Sequence, residues 1–373
     1  MVDLKQQYAK IKQQIDAGIQ EVLDTAGFIN GPVVQAFTEE FGQYLGSRYV
    51  IPCANGTDAL QIAMMALGLE PGDEVITPSF TYIATTEVVA LLRLKPVFVE
   101  VDPKTFCLDP KTLEAAITPR TKAIVPVHLY GQAAPMAEIL EIARRHKIHV
   151  IEDNAQAIGS SYTFPGGETR KTGTMGIVGC TSFFPSKNLG GYGDGGAICT
   201  EDEALAGKMR MIANHGQSRQ YYHDMVGCNS RLDAIQAAVL RVKLRELEGY
   251  IAARRKAADF YDAAFAGHAG ITTPFRASYS RHVFHQYTLQ LESANRDELK
   301  SFLAAHGIPA MIYYPVPGHR QQMFSAADGP QADLPVTDRL TEKVISLPMH
   351  TELDEEQLFH ITGKVLEFIT KSK

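Results

Sequence analysis

CTSFFPSKNLGGYGDGGAICT, from Cys180 to Thr200, runs from an apolar segment through Lys187 and a glycine-rich loop into a second apolar segment. Apolar residues at 180–184 and 197–200 predict two strands bracketing that loop. A lysine close to the end of a buried strand loses hydration, which lowers its pKa and frees its amine for covalent chemistry with carbonyls. Read alone, a lysine beside glycines is also an ordinary solvated loop residue. The spacing Gly191-x-Gly193-x-x-Gly196 matches a dinucleotide fingerprint, but that motif requires a helix opening on the last glycine. Here the glycines lead into an apolar strand, so nicotinamide-dinucleotide binding by this loop is rejected.

Working outward, further strands are predicted at 75–77, 97–101, 123–127 and 149–152, with helices at 58–67 and 135–146 between them. Continuous apolar strands alternating with helices predict an α/β fold with a mainly parallel sheet covered on both faces. Thr200 and Glu203 have capping-box spacing ahead of a helix at 204–212. A long helical pattern at 232–265 is apolar at first and heavily charged later. It is taken to carry the boundary between a large domain, residues 1–240 with an N-terminal helix, and a smaller C-terminal α+β domain, residues 241–373. In the latter, 287–291 reads as a strand and 296–306 as a helix.

Composition bounds the function. The 373 residues are 45% hydrophobic and 21% charged, as in an ordinary globular protein of two domains. A net charge of -6 offers no general electrostatic case for nucleic acid or an anionic membrane. No run approaches the roughly 18 apolar residues of a membrane span, and the polar N-terminus is not signal-like. The five cysteines, at 53, 107, 180, 199 and 228, form no CxxC pair. Neither a metal site nor a disulfide framework is indicated, and free thiols in the cytoplasm are expected.

Two further segments complete a constellation. In HVIEDNAQ, residues 149–156, Asp153 ends a predicted strand, where open α/β sheets build ligand crevices. A carboxylate there can pair with a protonated ring nitrogen, although an aspartate capping a following helix would look the same. In CANGTDAL, residues 53–60, a turn of small residues feeds a helix. The amides of Gly56, Thr57 and Asp58 can hold a phosphate, or Thr57 or Asp58 can serve as N-cap. Phosphate cradle, ring partner and carbonyl-reactive lysine together suit pyridoxal 5'-phosphate (PLP).

The runs FINGP, NGTDAL, PSFTYIATTE, VPVHLYGQ, IEDNAQAIGS, SFFPSKNLGGYGDGGAI, NHGQ and GCNSRLDAIQAAVL, in this order over nearly the whole chain, resemble the DegT/DnrJ/EryC1/StrS sugar aminotransferases. The resemblance implies a fold-type I PLP scaffold, with Lys187 carrying the cofactor and shuttling protons once freed. It further implies Asp153 at the pyridine nitrogen, Gln156 at the ring hydroxyl and Tyr82 stacked on the ring. Gly56, Thr57 and Ser182 would contact the phosphate, as would Asn229 reaching in from the neighbouring subunit of a homodimer. Enzymes of the family that deoxygenate sugars have histidine in place of this lysine, so Lys187 favours amination.

The closest likeness is to enzymes that aminate C3 of UDP-2-acetamido-2-deoxy-3-oxo-glucuronic acid for O-antigen sugars, with glutamate as donor. Arg231 would then suit the uronic carboxylate, though it also reads as a surface arginine. Tyr313, Tyr314 and His319 lie in the loop MIYYPVPGH, which resembles the family's substrate loop. Tyrosine at 313 departs from the histidine implied by the uronate branch. The alternatives are an aminotransferase for another nucleotide keto-sugar, such as a dTDP-3-oxo-6-deoxyhexose, a PLP-dependent sugar dehydratase, and a non-catalytic regulator on the same fold. The segment 164–171 has no assigned role.

Overall fold

The computed structural model describes residues 1–292, 294–325 and 332–371. Helix α1 (Leu4–Thr25) is capped by Asp3 on the Gln6 amide, and α2 (Pro32–Leu45) follows with proline at its first position. Strand β1 (Tyr49–Cys53) feeds α3 (Gly56–Ala66). Strand and helix then alternate through β2 (Glu74–Pro78), α4 (Ala84–Leu91), β3 (Lys95–Val99), α5 (Pro110–Ala115), β4 (Thr121–Ile124), α6 (Met136–His146) and β5 (His149–Asp153). A hairpin of β6 (Ser161–Thr163) and β7 (Thr169–Lys171) precedes β8 (Val178–Ser182), β9 (Gly196–Thr200) and α7 (Glu203–Ala213).

A second hairpin, β10 (Gln217–Arg219) with β11 (Tyr222–His223), leads to α8 (Ala234–Phe265). The remainder is β12 (Ile271–Thr272), β13 (Tyr287–Leu291), α9 (Arg296–Ala305), α10 (Pro335–Lys343), β14 (Val344–Leu347) and α11 (Glu355–Lys371).

The main sheet has seven strands in the order β1-β9-β8-β5-β4-β2-β3. Only β9 runs against its neighbours; every other pairing except the two it makes is parallel. Strands β2 and β9 are buried along their whole length, as expected of a sheet covered on both faces. One face packs against α3, α4 and α7, the other in part against α6. Proline at 52 is tolerated because β1 is an edge strand.

The long helix α8 serves two cores. Ala237, Leu240, Leu244 and Ile251 pack with α2 and the β9 side of the sheet. Ala257, Tyr261 and Phe265 pack with β13, β14, α9 and α11.

The fold adjusts several local expectations. Helix α3 is capped by Asn55, whose Oδ1 accepts from the Asp58 amide at 2.8 Å, so neither Thr57 nor Asp58 is the N-cap. Helix α7 is capped by Asp202 on the Leu205 amide, not by a Thr200–Glu203 box. Thr200 instead belongs to β9, and its hydroxyl donates to the Ile177 carbonyl. No helix follows Asp153 directly, which removes the capping alternative for it. The unassigned segment 164–171 forms most of the β6–β7 hairpin, with Lys171 Nζ 3.4 Å from Glu248 on α8. Among the described residues no helix is long and apolar enough to cross a membrane, and no cluster of metal-ligating side chains occurs.

Candidate active site

Strands β1, β5 and β8 all point the same way, because β9 lies antiparallel between β1 and β8. Their carboxyl ends therefore deliver Asn55–Gly56, Asp153 and Ser182 to one edge of the sheet, where α/β folds form ligand crevices. A cavity of about 750 Å³ opens there. Its wall includes Gly56, Thr57, Tyr82, Asp153, Gln156, Ser182 and Lys187, and also Tyr313 and Tyr314.

The start of α3 and the end of β8 approach each other closely. A Cβ on Gly56 would sit 2.7 Å from Ser182 Cβ, so only glycine lets the start of α3 meet the end of β8. Helix geometry leaves the Gly56 and Thr57 amides without intrahelical acceptors, and the helix dipole favours an anion there. Beneath this turn, Ser230 Oγ accepts from the Ala54 amide at 3.0 Å and donates to Asp58 Oδ2 at 2.6 Å.

Asp153 is 6% exposed, and its carboxylate is fixed in orientation. Oδ2 accepts from Thr85 at 2.8 Å and Oδ1 from the Ala155 amide at 3.1 Å. Gln156 is held at both ends: its Oε1 accepts from the Tyr130 amide and its Nε2 donates to Tyr314 Oη, each at 2.8 Å. Tyr82 is 57% exposed with its ring centroid 6.1 Å from that of Tyr314, leaving an aromatic face open to the cleft.

Lys187 lies in the turn after β8, its amide bonded to the Phe184 carbonyl at 2.8 Å. Its side chain is half-buried and lines the cleft. Desolvation pulls its pKa down to about 8, against the opposing pull of the Asp153 charge. The glycines beyond it serve packing: Cβ atoms on Gly191 and Gly193 would come within 3 Å of Gln236 at the start of α8. Gln236 Oε1 also accepts from the Tyr192 amide. The loop ends in β9, not in a helix, which removes the geometry a dinucleotide needs.

Three sequence candidates fall elsewhere. His319 is buried behind the loop, its Nδ1 2.7 Å from Ser79 Oγ and its Nε2 3.3 Å from Asp338. It lies outside the cleft wall and is neither an exposed loop residue nor in reach of the cavity, because Pro317 and Gly318 turn it onto Ser79 and Phe98. Asn229 is exposed and bridged to Asn214. Arg231 lines a separate cavity of about 880 Å³ beside Arg48 and Arg210. Of the substrate-loop residues, only Tyr313 and Tyr314 reach the cleft; the Tyr313 carbonyl accepts from the Tyr130 hydroxyl. Thr85, His285 and Gln286 belong to the site or its wall and were missed. Thr85 lies in the PSFTYIATTE run, whereas His285 and Gln286 read merely as residues before a strand.

The arrangement fits PLP on its own terms: amides and a hydroxyl for a phosphate, an open aromatic face, an oriented carboxylate and a lysine with a readily freed amine. The chain matches the model of the DegT/DnrJ/EryC1/StrS aminotransferase family over residues 9–366. It is 51% identical over 353 residues to a UDP-2-acetamido-2-deoxy-3-oxo-D-glucuronate aminotransferase of Pseudomonas aeruginosa, covering 95% of each chain. A DegT DnrJ EryC1 StrS aminotransferase from Brucella abortus superposes with a TM-score of 0.93 at 42% identity, covering 98% of each chain. The Bacillus subtilis protein ntda, solved with bound cofactor pmp, superposes with a TM-score of 0.88 at 32% identity, covering 97% of this chain and 82% of that one. The chain belongs to the DegT/DnrJ/EryC1/StrS aminotransferases and is a PLP-dependent sugar aminotransferase.

Proposed function

We propose that this enzyme moves an amino group from glutamate to C3 of UDP-2-acetamido-2-deoxy-3-oxo-glucuronic acid, in the cytoplasm, on the way to an O-antigen sugar. The observation that carries the reading is the single cleft that gathers Lys187, Asp153, Gln156 and the start of α3, in a chain 51% identical to an aminotransferase named for that substrate. A division into a large domain, residues 1–240, and a small one, residues 241–373, accompanies it. So does a homodimer in which Asn229 of one copy serves the cleft of the other, with Arg231 a partner for the uronic carboxylate.

When bound, PLP supplies a carbonyl that captures amines and a ring that withdraws electrons from the bond being broken. The residues of the chain do the rest. Gly56, Thr57 and Ser182 would hold the phosphate, and Tyr82 offers an aromatic face to the ring. Asp153, held by Thr85 and Ala155, would keep a proton on the ring nitrogen by charge pairing. With its amine free, Lys187 Nζ would take and return a proton at the α-carbon of glutamate and, in the reverse sense, at C3 of the sugar. Its lowered pKa leaves a useful neutral fraction near neutrality. The two substrates alternate in one cleft, which predicts ping-pong kinetics.

Absorbance spectra of the PLP form test the substrate. UDP-2-acetamido-3-amino-glucuronic acid should convert it to the pyridoxamine form, and a dTDP-3-amino-6-deoxy sugar should not. Conversion by the dTDP-sugar alone would replace the substrate and assign the change to Tyr313. Silence with both sugars and with glutamate would overturn the reading.

A further inference from the structure

The wall of the cleft beyond the cofactor residues contains two adjacent side chains that the chemistry above does not use. His285 is 8% exposed and Gln286 7% exposed, and both line the cavity that holds Lys187. His285 Nδ1 and Gln286 Oε1 are buried with no hydrogen-bond partner among the described residues. Most buried polar atoms are paired, so two neighbouring orphans on residues that line one cleft point to a ligand. Their backbone is fixed tightly: the Gln286 amide donates to the Tyr130 carbonyl, and the carbonyls of Phe284 and His285 accept from the buried Arg254. Gly131 faces the same segment, where a Cβ would sit 2.9 Å from the His285 amide nitrogen. The pair is thus held on a rigid support.

The chemistry of the pair selects its ligand. Burial, with Lys187 and Arg254 nearby, keeps His285 neutral, so its ring offers one donor and one bare acceptor. Gln286 Oε1 only accepts. A carboxylate offers no donor to that oxygen, whereas a sugar hydroxyl or an amide N–H does. We propose that His285 and Gln286 are specificity-determining residues that bind uncharged hydroxyl or amide groups of the sugar, rather than the carboxylates of the amino donor. This rests on the nucleotide-sugar aminotransferase reading.

The two half-reactions separate the possibilities. Single-turnover absorbance changes would be recorded for the PLP form with the amino-sugar and with glutamate, in wild type and in His285→Phe, His285→Asn and Gln286→Leu. His285→Phe and Gln286→Leu should each lower kcat/KM for the amino-sugar by about tenfold to a hundredfold more than for glutamate, the cost of a lost buried hydrogen bond. His285→Asn, which keeps a polar atom near the Nδ1 position, should recover part of the loss. Equal losses in both half-reactions, or none in either, would overturn the assignment of the pair. Failure of the wild type itself with every amino-sugar would instead overturn the underlying reading. A variant that does not fold would show itself by losing the glutamate reaction and its thermal transition together, and His285→Asn would then decide.

Discussion

Replacing Asp153 by Asn tests the electrostatics of Lys187 directly. Burial holds the amine at about 8, and Asp153 is the charge pulling it back up. At pH 7.5 a group of that pKa is ~24% neutral, whereas an ordinary lysine near 10.5 is ~0.1% neutral, a difference of roughly 240-fold. Cofactor-free enzyme would be trace-labelled with acetic anhydride from about pH 6 to about pH 10, the neutral range on either side of the expected midpoint. Mass spectrometry would follow the Lys187 peptide against the exposed Lys5 and Lys147. Labelling of Lys187 should reach half its plateau near pH 8. In Asp153→Asn the midpoint should fall further, because the negative charge that favours the ammonium is gone. A wild-type midpoint near that of an ordinary lysine, or a rise in the variant, would refute the reasoning.

Three other outcomes follow from the structure. Gly56→Ala should push α3 away from Ser182 and weaken PLP retention about tenfold, as an overpacking cost of roughly 1–3 kcal/mol implies; equilibrium dialysis of the cofactor measures it. Lys243 is 1% exposed, and burial with the Arg254 charge lowers its pKa to about 8. The folded state therefore disfavours its proton, a cost present below about 8 and gone above about 10.5. Lys243→Met should stabilise the protein by on the order of 1–3 kcal/mol at neutral pH, with the gain shrinking as pH rises through that window, as calorimetry at both ends would register. Burial raises the Glu248 carboxyl, but hydrogen bonds from Arg281 and Tyr44, each 2.7 Å, outweigh this and bring it to about 2. Glu248 is half exposed, so Glu248→Gln should cost no more than about 1 kcal/mol at neutral pH. That difference should shrink as pH falls from about 4.5 to about 2, which urea midpoints at neutral and acidic pH would report.

The α/β architecture was legible because its signals are local. Apolar runs at 75–77 and 149–152 lie within β2 and β5. Shifts of two or three residues at β3, β4 and β8 arose where apolar residues continue past the last ladder bond into the buried carboxyl edge, as at Val125 and Phe183. The caps were misread for a related reason. Asn55, Thr57 and Asp58 are all good N-caps, and only the turn from β1 decides which side chain faces the free amides. His319 was misplaced because nothing in a proline-glycine loop tells which way it folds; contacts with Ser79 and Phe98, some 220 residues and more away in sequence, bury it.

Sequence alone determined the local patterns around Lys187: a lysine after an apolar strand, an aspartate at a strand end and small residues opening a helix each have local causes. Tertiary structure decided which of them share a cleft. That depends on the antiparallel insertion of β9, which aims β1, β5 and β8 at one edge, and on the segment before β13 and residues 313–314, which line the cleft. It also turned an ordinary-looking pair, His285 and Gln286, into buried residues with unpaired polar atoms in the wall that Lys187 also lines. Hydrogen-bond satisfaction and desolvation are properties of the whole packed surroundings, and no window of sequence contains them.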